Sequence, residues 1–182
     1  MDEWRERVTG SARDDFDLLF TTVLPSAESS LKRFGRVQPF GAAMTAHGEL
    51  VRLSADPRLG QDPPARDVVA GIYGNARASA FARRSIAVVQ TGRSGGGSAM
   101  RIDMEHKDGQ TVSVVVAYTL SRFRKTYTRG KVTVGPCERR VWQDVPESID
   151  LRTASEVTAA ETVVAAETVP ARDVWSDEVP NL

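Results

Sequence analysis

Residues 100–118 carry the pattern that most narrows the fold. Met100, Ile102 and Met104 alternate with polar residues, and after Lys107-Asp108-Gly109 the alternation resumes at Val112, Val114 and Val116. Period-two alternation on both sides of a glycine-bearing turn is the mark of an antiparallel hairpin. A three-residue loop with Gly109 left-handed pairs Met104 with Val112, Ile102 with Val114 and Met100 with Val116. A two-residue loop would oppose Met104 to Ser113, a poorer match. Just upstream, residues 85–91 (Ser-Ile-Ala-Val-Val-Gln-Thr) are apolar on both faces, as in a central strand.

The remaining elements follow from local signals. Ser11 with Asp14 resembles a capping box, and Phe16, Leu19, Phe20, Val23 and Leu24 form a helical apolar stripe. Pro25 is expected to kink that helix or start another; Leu31 and Phe34 continue the apolar face to a stop at Gly35. Residues 39–55 read as a hairpin with a two-residue His47-Gly48 turn. That register pairs Ala46 with Glu49, Met44 with Val51, Ala42 with Leu53 and Phe40 with Ala55, and leaves Leu50 as an apolar exception on the polar face. Asp62 is expected to cap a second helix opened by Pro63-Pro64, with Val68, Val69, Ile72, Tyr73 and Ala76 as its buried stripe. Residues 122–134 add one or two edge strands, and Trp142 closes the body.

Charge divides the chain. Up to Asp144, 22 Lys and Arg face 16 acids; from Glu147 onward eight acids face Arg152 and Arg172 alone. The tail repeats Ala-Ala-Glu-Thr-Val at residues 159–163 and 165–169 and is poor in aromatics, so it cannot bury enough surface to order itself. We therefore expect a globular domain at 1–146 and an acidic, disordered tail at 147–182. The fold class is α+β: an antiparallel sheet of five to seven strands with helices packed on one face. A lone cysteine, Cys137, excludes a disulfide framework. With no long apolar run and a charged first pentapeptide, the chain is expected to be cytoplasmic, away from membranes.

Candidate chemistry is sparse. Residues 92–97 are glycine-rich but lie between strands and lack the Gly-Lys-Ser/Thr ending of a phosphate loop, so a flexible loop is the better reading. Glu105 and His106 are adjacent in a strand and point to opposite faces. Asp103 and Glu105 share a face and could serve acid–base or metal chemistry, but alternating polar positions are the ordinary pattern of an amphipathic hairpin, and its solvent face is the better reading. His47 and His106 sit at hairpin tips without the ligand spacing of a metal site. Cys137 reads as an inert thiol. No catalytic residue, metal or cofactor is expected. Arg122, Phe123, Arg124, Lys125, Tyr127, Arg129 and Lys131 interleave cations with rings, as a nucleic-acid-binding strand does, as a charge-protected edge strand does, or as a seat for the protein's own acidic tail would. At the C-terminus, Trp175 among Asp177, Glu178 and Leu182 resembles a short partner-binding peptide.

Arg33-Phe34-Gly35, the Pro39-Phe40-Gly41-Ala42 run, Gly48-Glu49, residues 104–109 and residues 138–142 together resemble a group of small uncharacterised bacterial proteins. The likeness covers roughly residues 14–142 and implies a fold but no catalytic residues. The order of elements is also similar to the roadblock/profilin-like layout, whose members scaffold complexes or regulate small GTPases; fold alone does not fix function. The sequence is expected to encode a non-enzymatic protein-interaction module, such as an adaptor, immunity-type or regulatory protein, with another protein as partner through the tail. The alternatives are nucleic-acid binding through 122–131 and a metal-dependent or hydrolytic enzyme using Asp103 and Glu105.

Overall fold

A computed structural model of the chain describes residues 5, 8, 10–55, 57–60, 62–121 and 126–143. Its elements are α1 (Gly10–Phe34), β1 (Phe40–Thr45), β2 (Leu50–Leu53), α2 (Ala65–Ala78), β3 (Arg83–Ser94), β4 (Gly97–His106), β5 (Thr111–Ser121) and β6 (Thr126–Gly135), with short 3-10 turns at Pro57–Leu59 and Ala80–Ala82. The strands form one six-stranded antiparallel sheet in the order β2-β1-β3-β4-β5-β6. The α+β class and the strand number agree with the sequence reading. Among the described residues no helix is long and apolar enough to cross a membrane.

The helices do not share one face. Alternate residues of a strand point to opposite sides. Ala87 and Val89 of β3 join Phe16, Leu19, Val23 and Leu31 of α1, while Ile86 and Val88 join Val69, Ile72 and Ala76 of α2. α1 covers one face from β1 across to β5. On the other face, α2 covers the β2-β1-β3 side, and Val141 and Trp142 pack beside it. A sheet that is covered on both sides explains why β3 is apolar throughout.

α1 runs unbroken through Pro25, contrary to the expected kink or restart. Pro25 lies on the exposed side, where the carbonyl it leaves without an N–H partner faces water. The helix starts at Gly10, so Ser11 lies within its first turn. It ends as predicted: Gly35, at φ 69°, donates its N–H to the Leu31 carbonyl. The α2 stripe is the expected one. Asp62 does not cap that helix; Pro64 holds the cap position without a side-chain bond, and Asp62 instead accepts a hydrogen bond from Gln38.

The two hairpin predictions fared differently. β4 and β5 pair in the expected register, Met104 with Val112 through Met100 with Val116. β1 and β2 are shifted by one: Met44 faces Leu50, Ala43 faces Val51 and Gly41 faces Leu53. The loop is Ala46-His47-Gly48, closed by the Thr45 N–H on the Glu49 carbonyl, with Gly48 at φ 87°. This register places Leu50 beside Met44 on the α1 side and Val51 and Leu53 against α2, so Leu50 is no exception. Residues 92–97 are likewise no flexible loop. β3 and β4 pair out to Ser94 and Gly97, and Gly95-Gly96, both at positive φ, make a two-residue turn.

Candidate functional site

The paired carboxylates lie where the sequence put them, on one face of β4, but that face is covered. Asp103 is 5% exposed and Glu105 3%, which corrects the solvent-face reading. Asp103 accepts a hydrogen bond from Arg101 Nε at 2.7 Å. Glu105 accepts the backbone N–H groups of Arg140, Val141 and Trp142 at 2.7–3.2 Å. Three successive amides converging on one carboxylate form an anion-binding nest, here filled by the protein itself. Glu105 thereby pins the segment after β6 and seats Val141 and Trp142 against α2. Neither carboxylate is presented to a substrate.

Cys137 belongs to the same segment. Its Sγ contacts the Met104 carbonyl at 3.5 Å, and its own carbonyl accepts the Thr111 hydroxyl. Burial pushes its thiol up to about 11, with Asp103 adding to the shift, so the nucleophilic thiolate is suppressed near neutral pH. Burial also raises the Tyr73 hydroxyl, which sits near Asp103 with the Arg140 guanidinium over its ring at 5.1 Å.

His106 lies on the opposite face from Glu105, as strand geometry requires, and is fully buried. It meets Asp15 of α1 and Arg84 and Ser85 of β3. Asp15 takes a two-pronged contact from Arg84, at 2.8 and 2.6 Å, and the Ser85 hydroxyl at 3.0 Å. The Asp108 N–H donates to His106 Nδ1 at 3.1 Å, which leaves the ring proton on Nε2 in the neutral form. Nε2 stands 3.6 Å from Asp15 Oδ2, beyond hydrogen-bond range. Burial lowers the His106 pKa, opposed by Asp108 and Asp15.

Sequence reasoning missed this Ser, His and Asp group. Its one visible signal was Asp15, a charge set among the buried positions Ala12, Phe16 and Leu19 of α1. The group is not arranged as a hydrolytic triad. Ser85 donates to Asp15 rather than to His106 and has no exposed surface, so its oxygen is neither activated nor reachable. His47, at the other tip, is exposed. Among the described residues no group of three His, Cys, Asp or Glu side chains could hold a metal.

The basic residues assemble differently. β6 is an edge strand, as expected. Tyr127 donates its hydroxyl to Glu28 of α1 at 2.9 Å, and Arg129 donates to the same carboxylate at 2.7 Å. Burial and the Glu28 carboxylate push the Tyr127 hydroxyl up to about 12. Lys32 stands over the Tyr127 ring at 5.7 Å, and the Tyr118 ring lies 6.0 Å away. Next in the chain, Arg33 lies over the ring of Phe34, which is 55% exposed, and Gly35 packs near Leu120 of β5. Arg36 follows and is exposed, as is Lys131 of β6. The end of α1 therefore adds Lys32, Arg33, Phe34 and Arg36 to the basic strand that the sequence singled out. Arg122, Phe123, Arg124 and Lys125 connect β5 to β6 and lie outside the described residues, as do Trp175, Asp177, Glu178, Leu182 and the whole of 147–182.

A shallow groove of about 330 Å³ lies between Val8, Val112, Val134 and Pro136, with Gln110 and Thr111 as its polar lining. No protein-family model, no curated protein and no solved structure matches the chain.

Proposed function

We propose that the chain is a non-enzymatic protein-interaction module that docks an acidic segment of another protein on the corner where the end of α1 meets β5 and β6. The observation that carries this reading is that the end of α1 sets Lys32 over the Tyr127 ring, beside the Arg129–Glu28 pair, with Arg33 over a half-bare Phe34 and the exposed Arg36 two residues on. Exposed cations around an apolar anchor favour an acidic peptide bearing one large apolar side chain. The engagement of Tyr127 with Glu28 and Lys32 favours protein over nucleic acid, since that ring is committed within the fold rather than offered for base stacking. The internal use of Asp103, Glu105, His106 and Cys137 supports a non-enzymatic role.

The test is fluorescence anisotropy with a labelled poly-glutamate peptide, the full-length chain and low salt. Lys32→Glu combined with Arg36→Glu should weaken binding on the order of tenfold. Arg77→Glu, in the last turn of α2 on the other face of the sheet, should not. Binding that ignores Lys32 and Arg36 would refute the corner as a docking site. Tighter binding of a single-stranded oligonucleotide that depends on Phe34 would replace this reading with nucleic-acid binding.

A further inference from the structure

Resting on that docking reading, we propose that the partner's acidic segment binds as an added strand, lengthening the sheet from the open edge of β6. The backbone is the first argument. β6 closes one side of the six-stranded sheet and pairs with β5; among the described residues no strand lies on its outer side. Every second residue of an edge strand turns its N–H and C=O away from the sheet, a ready template for another extended chain. The edge at β2 is four residues long, that at β6 ten. Thr126, Thr128, Arg129, Gly130, Lys131 and Thr133 are exposed, so β6 is open to solvent over most of its length.

Register gives the place along the edge. Val116 faces Val132 and Tyr118 faces Arg129, so Ala117 alone opposes Gly130 and Lys131. This bulge divides the edge into two regular runs, 126–129 and 132–135. The first run lies at the docking corner: Tyr127 and Arg129 both reach Glu28 of α1, and Lys32 stands over the Tyr127 ring. A strand added there lies roughly 4.8 Å from β6. Half of its side chains fall on the α1 face, beside Arg129 and Lys32, and the alternate half on the far face, beside Thr126 and Thr128. Acids suit the first set and hydroxyl-bearing residues the second.

Charge selects the occupant. β6 carries Arg129 and Lys131 and no acid. A second copy offering the same edge brings like charges together, the usual guard against edge-to-edge association, whereas an acidic strand is attracted. Main-chain hydrogen bonds then supply affinity and the alternating acids supply selectivity.

The experiment uses the full chain and three labelled eight-residue peptides of alternating Glu and Thr, read by fluorescence anisotropy at low salt. One is unmodified, one is N-methylated at every Glu and one at every Thr. In an extended strand the Glu N–H groups all point to one side and the Thr N–H groups to the other, so a single set faces β6. One methylated peptide should bind like the unmodified one, and the other at least about tenfold more weakly. Equal loss with both, or loss with neither, would overturn strand addition, because attraction between side chains does not tell the two sets apart. Amide hydrogen exchange gives a second reading: saturating unmodified peptide should slow the amides of 126–129 that β5 does not bond and leave those of β2 unchanged. Unchanged exchange at 126–129, or protection at β2 instead, overturns it too. Lys32→Glu with Arg36→Glu separates the two failures. Binding that depends on this pair while methylation does not discriminate refutes the added strand and leaves the docking site standing. No binding of the unmodified peptide, or binding that ignores the pair, refutes the docking site and the strand with it.

Discussion

Glu105→Gln tests the least conventional contact in the fold, a side-chain carboxylate that anchors a backbone segment. In the native chain three N–H groups share the two oxygens of Glu105. Glutamine has the same shape but no charge, and its amide presents N–H where at least one donor now points. A hydrogen bond to a charged group contributes about 1.5–3 kcal/mol net, and the loss of one or two of the three predicts a cost of about 3 kcal/mol. The cost has a ceiling. If the segment comes away, its amides reach water, and what is lost is the burial of Val141 and Trp142, roughly 3–5 kcal/mol on the scale of a buried Trp→Ala change.

That ceiling makes the reasoning refutable through a double-mutant cycle. Glu105 and Trp142 act through one segment, so the second substitution should find little left to remove. Urea unfolding followed by far-ultraviolet circular dichroism gives the four stabilities. The double variant Glu105→Gln with Trp142→Ala should cost no more than about 1 kcal/mol beyond the larger single change. Strict additivity, or a Glu105→Gln cost below about 1 kcal/mol, would show that the carboxylate does not hold the segment in place.

Three further outcomes follow from other buried groups. His106 titrates below its unfolded value because burial disfavours its charged form, so the folded state prefers the neutral ring; stability is full above about pH 6.5 and falls as the pH drops through and below that value. Thermal melting between neutral and mildly acid pH should show this decline in the native chain and less of it in His106→Gln; equal declines would refute the assignment. Asp15→Asn leaves Arg84 and Ser85 without their carboxylate and should cost about 3 kcal/mol in urea unfolding, moderated because Arg84 is partly exposed; a cost under about 1 kcal/mol would mean that the pair is structurally idle. Cys137, with its thiol pushed up to about 11, should react with an aromatic disulfide reagent far more slowly at pH 8 than the same thiol in urea; prompt reaction of the folded protein would contradict its burial.

What could be read from the sequence follows the range of the interaction. The α2 stripe and the β4-β5 register depend on residues a few positions apart, and both were legible in full. The β1-β2 register is also local, yet it differs by one from the pattern, because His47-Gly48 has the composition of a two-residue turn while Gly48 closes a three-residue one. Leu50 held the signal: an apolar residue stranded on a polar face is what a one-residue slip produces. The division of the helices between two faces was implicit in the doubly apolar β3, which a sheet covered on one side does not need.

The polar contacts obey no such periodicity. Asp15 meets Arg84 across 69 residues, Glu105 meets Val141 across 36 and Glu28 meets Arg129 across 101. An apolar stripe needs only another apolar surface, since hydrophobic attraction is non-directional, so its pattern is enough to place it. A charge needs one partner at one distance, and when that partner is a backbone N–H, as for Glu105, no side chain announces it. The same blindness hid the basic corner: Lys32, Arg33 and Arg36 are an ordinary helix ending until the fold sets Lys32 over the Tyr127 ring. A surface made of charges brought from two distant elements is therefore visible only after folding.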